Sequence, residues 1–99
     1  MTKDEFEIIL NDLTAAKDNL NRLNLELQRV RSKLYLEIKR SPAKYGLDKA
    51  TEEAIKAVIT VNAEVIELEG KILEAKHWQG ICFERYDLAK FELAKEGEE

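Results

Sequence analysis

Groups able to do covalent or metal chemistry are scarce in this 99-residue chain, which holds one histidine, His77, and one cysteine, Cys82. His77 has a single ligand-type neighbour one helical turn away, Glu74, whereas a metal site needs three or four donors. Cys82 falls on a regularly spaced apolar stripe, where a small buried hydrophobe is expected rather than a reactive thiol. A lone cysteine also excludes an internal disulfide and fits a reducing interior. The acidic pairs Glu52/Glu53 and Glu67/Glu69 suit helix starts and solvated faces, and no Gly-rich phosphate loop or nucleophile elbow is present. These residues argue against an enzyme, and they imply neither a cofactor nor a metal.

The chemistry the chain does carry is ionic. Its formal net charge is −4, from 16 Lys and Arg against 20 Asp and Glu, which on average disfavours nucleic acid. The average conceals a polarity. Between Arg29 and Lys49 stand seven basic and two acidic residues, a net +5, whereas residues 1–28 carry −3 and residues 50–99 carry −6. Basic residues at that density beside Tyr35 and Tyr45 suit a surface that neutralises phosphates and stacks bases of a single strand. Arg31, Lys33, Lys39, Arg40 and Lys44 are the candidates, and Lys56, just after the turn, can join them. The competing reading is a solvated helix end, with Lys39 and Arg40 complementing the helix dipole.

Long helices must position these charges. Phe6, Ile9, Leu13, Ala16, Leu20, Leu23, Leu27, Val30 and Leu34 follow at steps of three and four, laying one narrow stripe along a rod. The spacing and the charged ends predict a helix over about 3–40, with Thr2 as cap. A turn follows over 41–50, where Pro42 pushes Ser41 out of the helical region and Gly46 offers a left-handed residue. Thr51 caps a short helix over 51–60, containing the β-branched run Val58-Ile59-Thr60-Val61. Asn62 then caps a long helix over 63–95, before an acidic tail at 96–99. The alternative is one unbroken helix from 52 to 95. The long helix has its own seam at Val65, Leu68, Ile72, Ala75, Gln79, Cys82, Tyr86, Ala89 and Leu93. The expected fold is all-α: one domain, a long antiparallel αα-hairpin with coiled-coil-like packing.

Apolar residues continue beyond the seams. Ile8, Leu10, Leu25, Leu36 and Ile38 lie off the first stripe, and Trp78, Ile81, Phe83, Leu88 and Phe91 lie off the second. A helix apolar nearly all round is a buried helix. One hairpin has no second layer for that surface, so a homo-oligomer is expected, with Trp78, Ile81, Phe83, Leu88 and Phe91 at its interface. A dimeric four-helix bundle is the simplest case, and a higher ring is the alternative. Trp78 then acts as a packing anchor, and Gln79 as a polar seam residue that fixes register or oligomer number. No apolar run approaches the length of a membrane span, and the N-terminus lacks a signal-peptide core, so a soluble cytoplasmic protein is expected.

One stretch resembles a known family. Thr51-Glu52-Glu53-Ala54-Ile55-Lys56-Ala57, then Val61-Asn62-Ala63-Glu64-Val65 and later Lys76-His77-Trp78, is similar to the UvsY-type recombination mediators of tailed phages and related small helical phage proteins. The likeness covers roughly residues 33–90 in layout and about a dozen positions in detail. It implies a non-catalytic oligomer that binds single-stranded DNA and helps a recombinase filament replace a single-strand-binding protein, in the host cytoplasm if phage-encoded. Lys56 matches the family's basic position and is the one DNA contact carried over. The rival expectation is a coiled-coil assembly or adaptor protein that binds a protein partner without touching DNA.

Overall fold

The computed structural model describes residues 1–97, whose only regular secondary structure is helical, with no strand among them. Its elements are α1 (Lys3–Arg40), a 3-10 turn (Pro42–Tyr45), α2 (Glu52–Thr60) and α3 (Ala63–Gly97). Residues 98 and 99 of the expected acidic tail lie outside the described residues, while Glu96 and Gly97 belong to α3 rather than to a tail.

Each boundary has a local cause. Thr2 and Glu5 form a reciprocal capping box at the start of α1: the Glu5 amide donates to Thr2 Oγ1 (3.1 Å) and the Thr2 amide to Glu5 Oε2 (3.4 Å). Ser41, before Pro42, takes φ −139° and ψ 67° and ends the helix. Gly46 turns left-handed at φ 75°, a conformation costly for any residue with a Cβ, and its amide donates to the Ala43 carbonyl. Thr51 Oγ1 accepts from the Ala54 amide (3.2 Å) and opens α2. The chain breaks at Val61–Asn62, where Asn62 Oδ1 accepts from the amides of Glu64 (3.0 Å) and Val65 (3.2 Å). Three helices therefore form, and the unbroken alternative over 52–95 is excluded.

The chain folds as two compact units, one of Met1–Arg22 with the residues from Leu73 onward, the other of Leu23–Ile72. In the first, Phe6 and Tyr86 bring their rings to 5.8 Å, and Tyr86 packs on a cluster of Leu13, Ala16 and Cys82. Lower sequence numbers of α1 meet higher ones of α3, so the two helices run antiparallel. The buried α3 positions here are small: Ala75, Cys82 and Ala89.

The second unit has a third helix and larger buried side chains. Ile38, Ile55 and Val65 are fully enclosed, and Leu23, Leu27, Leu68 and Ile72 are buried with slight exposure. Burial of one such side chain contributes roughly 1.5–3 kcal/mol. Ile38 is a correction to the sequence analysis, which placed it off the stripe. It lies four residues beyond Leu34, so the α1 seam runs one step further than expected and ends inside this core.

Candidate nucleic-acid interface

All six candidate DNA contacts belong to the second unit, and all six are exposed. They do not form one patch. At about 100° per residue, positions four apart share a helix face. Arg31, Tyr35 and Lys39 therefore line one flank of the α1 seam, while Arg29, Lys33 and Glu37 line the other.

On the first flank the cations already have carboxylate partners. Arg31 Nη2 donates to Glu69 Oε1 at 2.7 Å, with both side chains about half exposed. The Tyr35 hydroxyl donates to Glu52 Oε1 at 2.7 Å, and Lys39 Nζ lies 3.8 Å from the same oxygen and 5.4 Å from the Tyr35 ring centroid. The Tyr35 oxygen, and then Glu52, hold the Lys39 ammonium above its ordinary pKa. One face of the Tyr35 ring is thus occupied by a cation, and its hydroxyl is committed to Glu52.

Lys56 completes this flank from α2. It and Arg31 line a cleft of about 320 Å³ together with Ile59, Thr60, Val65 and Glu69. A second cleft, of about 420 Å³, is lined by Arg31, Ser32, Tyr35, Leu36 and Ile59. The two share Arg31 and Ile59 and so adjoin.

Lys33 and Arg29 border a separate cleft of about 230 Å³, with Glu37 and Glu64 at its edge. Arg40 and Lys44 stand exposed at the turn. Among the described residues, no carboxylate lies in ion-pair range of Lys33, Arg40, Lys44 or Lys56. Tyr45 is half-buried, and its hydroxyl donates to Glu37 Oε2 at 2.9 Å, which raises the phenol above its ordinary pKa. It too is committed to a carboxylate.

Folding also dilutes the charge. The second unit holds nine basic and eight acidic residues, because α2 and the start of α3 add Glu52, Glu53, Glu64, Glu67 and Glu69, of which Glu52 and Glu69 reach Lys39 and Arg31. The +5 of residues 29–49 becomes a unit of net +1. The window 29–49 hides this, and the fold shows that the unit to be summed is Leu23–Ile72.

The five candidate interface residues lie in the first unit. Phe91 (69%), Leu88 (66%), Phe83 (49%) and Trp78 (45%) are exposed, whereas Ile81 is half-buried. They occupy more than one face. Trp78 and Phe83 are five residues apart, hence about 140° around the helix. Trp78 carries the Arg85 guanidinium 5.6 Å from its ring.

The groups weighed for catalysis separate as well. Cys82 is buried in the apolar cluster and His77 is exposed. Among the described residues, no three of His, Cys, Asp and Glu are placed to hold a metal ion, and no helix is long and apolar enough to cross a membrane. Sequence reasoning left Glu52 and Glu69 to a helix start and a solvated face, whereas they are the partners of Lys39 and Arg31. It assigned no joint role to Leu36 and Ile59, which line one cleft. No protein-family model, curated protein or solved structure matches this chain.

Proposed function

We propose that this chain is a non-catalytic, oligomeric accessory protein that binds single-stranded DNA, of the recombination-mediator kind. One observation carries the reading. Lys56, the residue that the resemblance singles out, and Arg31, singled out by charge alone, lie 25 positions apart in sequence on different helices and line the same cleft. Two cations converging on a groove suit backbone phosphates, and the free ammonium groups of Lys33, Lys44 and the Arg40 guanidinium add sequence-independent attraction nearby. A recombinase or a single-strand-binding protein is the partner class such a function requires.

A net charge of only +1 on this unit means weak binding per copy. Association of several copies would multiply it through effective concentration. The test is a salt titration of the full chain against a labelled oligo-dT. Binding at low salt should weaken with a log–log slope of roughly −0.7 per phosphate neutralised. Absence of binding at low salt, or binding indifferent to salt, defeats the proposal.

The first unit favours a second reading, a helical assembly or adaptor protein. Its α3 seam buries Ala75, Cys82 and Ala89 while Leu73, Leu88 and Phe91 remain about two-thirds exposed. Such an inverted partition suits a helix covered on two sides. Taken alone, this reading requires a tight protein partner and no affinity for DNA.

A further inference from the structure

The paired clefts on the α2 flank differ in character. One is ionic, lined by Arg31, Lys56 and Glu69, with the carboxylate paired to Arg31; the other is apolar, formed chiefly by Tyr35, Leu36 and Ile59. Each falls within the size range of small-ligand sites, and they meet at Arg31 and Ile59. A single-stranded nucleotide has the same two-part character: a charged phosphate joined through the sugar to a flat, largely apolar base.

We infer that the two clefts together form a site for one nucleotide of a single strand, with phosphate between Arg31 and Lys56 and base against Leu36, Ile59 and Tyr35. The inference deepens the DNA-binding reading and rests on it. Three features select this occupant. The planar fork of Arg31 matches phosphate oxygens, and Lys56 supplies a second positive charge without a competing carboxylate. Leu36 is 62% exposed at the rim of an ionic site, where an apolar side chain serves no solubility purpose and offers a base a surface to cover. The Tyr35 ring is held by its bond to Glu52 and the overlying Lys39, so it forms a fixed wall. A duplex does not fit, because its bases are stacked and paired and cannot enter a cleft without being extruded.

Glu69 acts on this site as a competitor. Its carboxylate holds Arg31 at 2.7 Å and must release it before a phosphate can take both cations. Removing that charge should strengthen binding by about two- to fivefold, the modest change expected of an exposed ion pair.

The experiment uses fluorescence anisotropy of the full chain at low salt with three probes of equal length: oligo-dT, an abasic strand and a duplex. Oligo-dT should bind at least about fivefold more tightly than the abasic strand, and the duplex no better than the abasic strand. Leu36→Ser, a change at an exposed position, should bring oligo-dT down to the abasic level and leave abasic binding unchanged. Lys56→Glu should weaken both strands, and Glu69→Gln should strengthen both. Equal affinity of the wild-type chain for dT and abasic strands, or an unchanged ratio in Leu36→Ser, overturns the nucleotide site while leaving general DNA binding intact. Failure of every probe to bind overturns both. Displacement of oligo-dT by poly-glutamate as readily as by unlabelled oligo-dT also rejects the assignment.

Discussion

Tyr35 on α1 and Glu52 in the first turn of α2 are joined across seventeen residues by a 2.7 Å hydrogen bond from phenol to carboxylate. Glu52 and Lys56 are four residues apart and share a face of α2, just as Arg31 and Tyr35 share a face of α1. Ile55 buries one side of α2, and the bond ties the adjoining side, which carries Lys56, to the α1 flank that carries Arg31. Tyr35→Phe should cost about 0.5 kcal/mol, the low end for a hydrogen bond because this one is exposed. Urea unfolding measures that loss. Oligo-dT affinity should fall together with it, although no charge has been removed.

Alkaline pH should release the ties around the turn. The Lys39 pKa is raised above the ordinary 10.5 by the Tyr35 oxygen and Glu52, and the Tyr45 pKa is raised above the ordinary 10.0 by its bond to Glu37. Both groups bind their protons more tightly when folded. Their stabilisation is complete below the unfolded pKa and disappears as pH rises through the folded value. The melting-temperature difference between wild type and Tyr45→Phe should stay constant from pH 7 to about pH 9 and shrink above about pH 10. A difference that grows with pH contradicts the assignment.

The break at Val61–Asn62 depends on one side chain. Asn62 Oδ1 satisfies two of the amides that α3 leaves unpaired at its start. Asn62→Ala should destabilise the chain by about 1 kcal/mol in denaturant titrations, and Asn62→Asp should retain most of that energy. Equal losses for both substitutions would show that the cap contributes nothing.

Self-association is open to a direct spectroscopic check. Trp78 is the sole tryptophan and is 45% exposed in the isolated chain. If copies cover α3, its emission should shift to shorter wavelength with rising protein concentration, in step with the mass from light scattering. Leu88→Glu combined with Phe91→Glu should hold the protein monomeric without lowering its helical circular dichroism, because both side chains are exposed. A wild-type monomer with concentration-independent emission removes the oligomer from the proposal and, with it, avidity for DNA.

Helix existence and limits were legible in the sequence because their causes are local. The 3–4 spacing from Phe6 to Leu34, the Pro42 stop, the left-handed Gly46 and the caps at Thr51 and Asn62 each act within a turn or two of chain. The seam residues of α3 were equally readable: Val65, Leu68, Ile72, Ala75, Cys82 and Ala89 are all buried. What the tertiary structure decided is which charges remain available. Arg31 and Lys39 lie in the most basic stretch of the chain, yet Glu69 and Glu52 reach them only after α2 and α3 fold back on α1. The same packing sets Lys56 beside Arg31, and Leu36 and Ile59 along one cleft. Periodicity reports the face a residue occupies on its own helix; the partner waiting there depends on three-dimensional proximity between distant segments, which spacing along one helix does not encode.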